Sequence, residues 1–570
     1  MDAEANVSEP AKSFELYRRV NRHLAVGEVA QAKSLLNEEG KRWAQSGLLR
    51  LVAGRIAEAE GQSIAASELF RQAANALYLE VSRAPNDPDR PLALAQALIK
   101  CSDADGAKAA LVLARERGAD AKKMLRIEQR LALQQMDWPT LRRTMQRLVA
   151  LEVNPSALDF VVLARACRNL NDVDGAANAA AQALQRDPAR NEAIAIAAWV
   201  AMRQGDPETA IEYYRRLVRL APDNPRFYFQ VIYLLILSGK VREAGDELTT
   251  ALGRWPGDPA LRVLALKNGF LSVDQLAPMS ELGDKGAHVD LLGEQRLRTL
   301  AQMAPRDSEL RRPVMSDDKS RDVIIADAPN SDTTVLVFTA LTDVVSMPLS
   351  IFDRYLAALG VTAIYLKDFN RLDYLRGINS LGDSYAATIE ALRGLCRRLA
   401  ARRLCTLGCS AGGFGAIRYG VELDVDRILT FSGETQNKTP VDDRVSSFAG
   451  ETRNKTRRLR SLKTADSSFL TLDPGTGMVK QRLRTCVPAA ELDLRDFLLS
   501  RRYSSKIELV YAEKLKPDEI YAQHLSGLEG VTIHPVANCD SHELLQWIAL
   551  NGDLCTMLDR LLGLSPRADS

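Results

Sequence analysis

The chain has 570 residues, with 75 basic and 73 acidic side chains and a formal net charge of +2. That length exceeds what a single hydrophobic core serves, so two or more domains are expected. Near-balanced charge gives no global attraction to nucleic acid or to an anionic membrane, and no run of about eighteen apolar residues marks a membrane span. The first residues, MDAEANVSEPAKSFELYRR, are acidic and polar where a signal peptide is basic and then apolar. Eight cysteines are scattered without a C-x-x-C pair. This composition points to a reducing, cytoplasmic compartment with free thiols, no structural zinc and no cofactor.

From about residue 12 to 270 the sequence is helical and repetitive. Three segments align without a gap at a 34-residue period. Asn171, Gly205 and Gly239 share one column, and Ala176, Ala210 and Ala244 the next. Ala180, Tyr214 and Leu248 follow, and Pro188, Pro222 and Pro256 close the unit. Upstream, Gly27, Ala32 and Leu36 match Gly61, Ala66 and Phe70 at the same offset. Between the blocks lie less regular helices, including Asp105 with Ala110 and Asp137 with Trp138. The columns have physical reasons. A turn residue separates two helices, a small residue lets them cross closely, and a proline stops the second helix. The pattern resembles the tetratricopeptide repeat. The resemblance implies six to seven repeats in an all-α superhelical array, whose role is to hold a protein partner.

Residues 271–320 read as a capping helix followed by a polar stretch. The domain boundaries are therefore placed at 1–310 for the repeats, 311–321 for a linker and 322–565 for a second domain. In that domain Val323–Asp327 and Thr334–Thr339 read as a hairpin around Pro329–Asp332. Strands at 361–366, 404–407, 427–431, 507–512 and 531–535 alternate with helical stretches, notably 380–402 and 543–562. Alternation of this kind implies an α/β, mostly parallel sheet with helices on both faces, a three-layer sandwich. Sites in such sheets form at the carboxyl ends of the strands.

At one of those ends stands Gly408-Cys409-Ser410-Ala411-Gly412, a G-x-S-x-G pentad between a strand and a helix. The turn would expose the Ser410 hydroxyl, whereas Cys409 precedes the exposed position and is expected to pack. Of the five histidines, His23 and His288 lie outside this domain, His524 falls in a helix and His534 in a strand. His542, on the loop between the last strand and the last helix, is the candidate base. The acid is expected after the 507–512 strand, where Asp518 and Glu513 compete; Asp540 is more suited to shaping the loop.

The segments GCSAGGFGAIRYG, Ile428–Ser432 and the terminal CDSH resemble α/β hydrolases. The resemblance implies a Ser410, His542, Asp518 triad and an oxyanion hole from the Ala411 amide with Ala340 or Leu341, Leu341 being preferred. It also implies a lid-like insertion at about 436–503. That insertion holds a basic cluster that includes Arg457, Arg458 and Arg460, suited to an anionic substrate. A serine hydrolase of a carboxylic ester, on a small-molecule or glycan-linked acyl group, is the leading expectation. The alternative is a non-catalytic repeat adaptor in which the hydrolase-like domain is a docking module.

Overall fold

The computed structural model describes residues 9–43, 45–272, 288–399, 401–437 and 474–564. The chain forms two compact units, Met1–Ile196 and Ala197–Ser570.

Helical hairpins run through the first unit and into the second. They are α1 (Glu9–Ala25) with α2 (Val29–Glu39), α3 (Gly47–Ala59) with α4 (Ser63–Arg83), and α5 (Asp89–Lys100) with α6 (Ala104–Glu116). Then come α7 (Ala121–Gln135) with α8 (Trp138–Leu151), and α9 (Ala157–Asn169) with α10 (Val173–Arg186). The unit boundary falls inside α11 (Asn191–Arg203), and α12 (Pro207–Leu220) follows it across the Gly205 turn. Next are α13 (Pro225–Leu237) with α14 (Val241–Arg254), and α15 (Pro259–Lys267) with α16 (His288–Met303).

Each of the first seven hairpins turns on a residue with positive φ: Gly27, Gly61, Ser102, Met136, Asn171, Gly205 and Gly239. Their spacing is 34 residues except at two steps, 41 between Gly61 and Ser102 and 35 between Met136 and Asn171. The long step has a simple origin. Helix α4 has 21 residues where α10, α12 and α14 have 14. Seven extra residues make about two helical turns, so the buried face stays in phase. This insertion is why the middle repeats read as irregular.

With the register recovered, the small-residue column is Ala32, Ala66, Ala107, Ala176, Ala210 and Ala244, all buried, with Leu141, also buried, in its place in the fourth hairpin. The sequence pairing of Asp105 with Ala110 is three residues out of phase, because Asp103 caps α6 and Ala107 packs. Asp137, Asp172 and Asp206 cap α8, α10 and α12 in the same way, each accepting from a backbone N–H three residues on. Each cap contributes about 1 kcal/mol.

The sheet lies in the second unit. Its strands are β1 (Val323–Ala326), β2 (Thr333–Phe338), β3 (Thr362–Leu366), β4 (Arg403–Cys409), β5 (Arg427–Phe431), β6 (Lys506–Ala512) and β7 (Val531–Val536). The spatial order is β1-β3-β2-β4-β5-β6-β7, with only β1 antiparallel. The expected β1–β2 hairpin does not form. β1 pairs with β3, Val323 opposite Leu366, and β3 separates it from β2. The Pro329–Asp332 segment lies on a connection that reverses the chain direction but carries it past β3, so that β2 runs antiparallel to β1 without pairing with it.

Strand residues alternate between two cores. Val335, Val337, Cys405, Leu407, Leu429 and Val510 pack with α17 (Leu349–Leu359), α23 (Leu544–Asn551) and α24 (Leu554–Leu562). Leu336, Phe338, Ile364 and Leu366 face α18 (Tyr385–Arg398) and α19 (Ala411–Glu422). Ile428, Ile507 and Leu509 face α19, α20 (Pro474–Cys486) and α21 (Leu494–Leu499). Helices thus cover both faces.

Residues 311–321, expected as a linker, are built into this unit. The Arg312 guanidinium is buried and donates to both Asp353 oxygens, at 2.7 and 2.6 Å, and to the Val361 carbonyl at 2.8 Å. Asp317 pairs with the buried Lys367 at 2.9 Å. Polar composition here reflects ion pairing to the sheet and its helices, which composition alone does not separate from solvation. The basic cluster with Arg457, Arg458 and Arg460 lies outside the described residues.

Candidate active site

Ser410 follows β4 and caps the start of α19, with φ 53° and ψ −122°. A non-glycine residue adopts such a conformation only where the surroundings over-determine it. Here the Ser410 amide donates to the Phe431 carbonyl at 3.1 Å, and its own carbonyl accepts from Gly413 at 2.9 Å and Glu434 at 3.1 Å. The flanking glycines are required by contact. A Cβ on Gly408 would stand 2.2 Å from the Gly412 carbonyl oxygen.

His542 sits on the loop between β7 and α23, as expected. Its Nε2 lies 2.9 Å from Ser410 Oγ and its Nδ1 2.8 Å from Asp518 Oδ1. Asp518 is buried in the first turn of α22 (Lys516–His524), not in a loop. Pro517 at the helix start positions that turn. Glu513 is exposed and accepts from the Asn538 amide at 3.1 Å. Asp540 is exposed. The structure therefore places Asp518, and not Glu513, against the imidazole.

Dense surroundings push the His542 pKa down, but the hydrogen bond and charge of Asp518, with Glu434 and Glu543, outweigh them and raise it above 6.5. With 46% of the side chain open to solvent, the imidazolium keeps part of its hydration, and the net direction is upward. Cys409 is buried, 2.8 Å from Ser346 Oγ, and burial pushes its thiol up to about 12. A thiol so protonated is no nucleophile.

Ala411 opens α19 and lines a tight cleft with Thr339, Ala340, Leu341, Asp368, Arg371, Asp373 and Tyr374. The two expected oxyanion residues are thus brought to one place. Tyr374 holds the wall, its hydroxyl within 2.9 Å of the Thr339 carbonyl and 2.8 Å of the Leu366 carbonyl. A cavity of about 410 Å³ lies elsewhere, between Gly239–Asp246, Lys319, Ser320 and Phe369, and holds none of Ser410, His542 and Asp518.

Sequence reasoning missed the charged groups behind the cleft. Lys480 of α20 is buried, 3.1 Å from Asp373 Oδ2, and paired with Glu434. Asn437 also donates to Asp373, at 2.5 Å. Burial raises the Asp373 pKa to about 7 even against the nearby Lys480 charge, and Glu434 adds to the rise. The one signal that pointed here was position. Glu434 follows the carboxyl end of β5, and Asp373 follows that of β3.

Residues 161–225 and 197–259 match the tetratricopeptide-repeat family model, so this stretch consists of tetratricopeptide repeats. No curated protein matches the chain. Among solved structures the chain is similar to YrrB, a TPR protein with an unusual peptide-binding site (13% identity, 33% of this chain and 96% of that one, TM-score 0.29). It is also similar to pilF of Pseudomonas aeruginosa (16% identity, 37% and 93%, TM-score 0.29). A third is the C-terminal part of a TPR repeat-containing protein from Cytophaga hutchinsonii (13% identity, 42% and 95%, TM-score 0.31). Among the described residues no helix is long and apolar enough to cross a membrane.

Proposed function

We propose that residues 322–565 form a serine hydrolase of carboxylic esters or related acyl groups, following a repeat scaffold in the chain. The observation that carries this reading is the unbroken chain from Ser410 Oγ through His542 to the buried Asp518. In this reading His542 takes the Ser410 proton as the oxygen attacks the acyl carbon, and returns it to the leaving group. Asp518 holds the tautomer with Nδ1–H and stabilises the imidazolium. The Ala411 and Leu341 amides would receive the oxyanion. Water then releases the acyl group from Ser410. The strand order with an antiparallel β1 edge, the elbow after β4 and the order Ser, Asp, His along the chain support the α/β-hydrolase reading. Eight free cysteines support a reducing compartment.

The adaptor reading rests on a different observation: the family match falls on the repeats alone. On that reading the repeats hold a protein partner and the sheet is a docking module. Labelling with a fluorophosphonate separates the two. Wild type labelled and Ser410→Ala unlabelled supports the hydrolase. An unlabelled, folded wild type leaves the adaptor.

A further inference from the structure

The cleft wall between Asp368 and Tyr374 is held from the repeat side. Three of its residues, Arg371, Asp373 and Tyr374, have φ of 55°, 51° and 64°. Side chains in that region cost about 1–3 kcal/mol each and persist only when neighbours fix them. One neighbour is local. The Asp368 carboxylate accepts from the Leu372 and Tyr374 amides, at 2.7 and 2.9 Å. The other is not. Arg371, 1% exposed, donates to both oxygens of Asp343, at 2.6 and 2.7 Å, and to the Asp368 carbonyl at 2.8 Å. Its remaining reach goes to the Ile236 carbonyl, 2.8 Å away in the last turn of α13. A helix C-terminus favours a cation there.

We propose that Arg371 is a positioning residue that seats the cleft wall on the end of repeat helix α13, making the α13–α14 hairpin part of the candidate active site. This rests on the hydrolase reading for its consequence, though not for its geometry. The guanidinium joins three segments: the β3 loop, the Asp343 turn two residues beyond Leu341, and the repeat helix. Planar forked donors are needed for that, and an ammonium cannot replace them. The hairpin turn makes a second contact at the same place. A Cβ on Gly239 would stand 2.2 Å from the Phe369 carbonyl oxygen. Phe369 belongs to the same wall, and backbone cannot swing aside as a side chain does.

The repeat column supplies its own control. Gly61 occupies the same turn position with φ 77°, against 75° for Gly239, and nothing lies within 4 Å of a Cβ placed on it. Alanine at either site meets the same backbone strain, and only at Gly239 does it push on the cleft wall. The full chain would be compared as wild type, Gly61→Ala, Gly239→Ala and Arg371→Lys.

Hydrogen exchange at the Leu372 and Tyr374 amides reads the wall directly. Exchange faster in Gly239→Ala and Arg371→Lys, and unchanged in Gly61→Ala, is the expected result. Turnover of a p-nitrophenyl ester reads the consequence. In Gly239→Ala and Arg371→Lys kcat should fall by about a hundredfold, the scale of a misplaced reacting group. KM should change little, and Gly61→Ala should keep wild-type kcat. Wild-type exchange in both wall variants, or equal losses in Gly239→Ala and Gly61→Ala, overturns the proposal. If wild type neither turns over ester nor takes the fluorophosphonate label, the hydrolase reading fails. The exchange result then decides the seating of the wall alone.

Discussion

Gly412 lies so close to the end of β2 that a Cβ placed on it would stand 2.2 Å from the Phe338 carbonyl oxygen. The elbow helix can approach the sheet only because position 412 has no side chain. Gly412→Ala should push α19 off β2 and carry Ser410 out of reach of His542. Turnover is expected to fall by about a hundredfold or more. Gly394→Ala in α18 is the matched control. Its nearest atom is a flexible Arg398 nitrogen at 3.6 Å, so helix propensity alone should stabilise by about 0.5–1 kcal/mol. Activity in Gly412→Ala equal to that of Gly394→Ala would show that the elbow is not under this constraint.

The two carboxylates that competed for the third position make opposite contacts. Asp518 touches the imidazole, whereas Glu513 is exposed and touches the Asn538 amide. Asp518→Asn should lose about 10⁴-fold in kcat, as a triad with the wrong tautomer does. Glu513→Gln keeps an acceptor oxygen for Asn538 and should stay within a few-fold of wild type. Steady-state rates on the same ester compare them, and a severe loss in Glu513→Gln alone reverses the assignment.

On the hydrolase reading, His542 would act as a base only when neutral. Its pKa is raised above 6.5, so kcat/KM should climb with pH through a midpoint above 6.5. In Asp518→Asn the crowding around the ring remains while the main raising interaction is gone, so the residual activity should rise at lower pH. The same shift has a stability sign. A raised folded pKa stabilises fully below 6.5 and the contribution is lost as pH rises through the folded value. A wild-type midpoint below 6.5 would contradict the Asp518 contact in solution.

Much of this was legible in the residues because local chemistry demanded it. The pentad needs glycine where backbone passes at 2.2 Å, and six of the seven repeat turns with positive φ are followed by a buried alanine. What stayed hidden depends on distant partners. The β1–β2 hairpin looked right because a turn joins two apolar runs, yet β1 pairs with β3, a strand some forty residues on. The 311–321 stretch looked solvated because nothing in its sequence shows that Asp353 and Lys367 meet it. Lys480 sits alone in an unremarkable helix, and only folding brings it to Asp373 and Glu434.

That lysine gives the last prediction. Lys480 is 4% exposed and stands between Asp373 and Glu434, both buried. Lys480→Met removes the cation and leaves the two carboxylates facing each other, which should cost about 3–5 kcal/mol in a denaturant titration. Asp373 would respond by taking up a proton. Its pKa is already raised to about 7 by burial, with Lys480 opposing that rise, so losing Lys480 moves it further up. A carboxyl whose folded pKa is raised binds more protons folded than unfolded, so its effect on stability worsens as pH rises from about 4 through the folded value. The deficit of Lys480→Met should therefore be larger at pH 8 than at pH 6. Asp373→Asn placed on top of Lys480→Met should recover part of it and flatten the pH dependence, because the pair is coupled. A single variant within about 1 kcal/mol of wild type at both pH values would mean that the ion pairs are open to solvent.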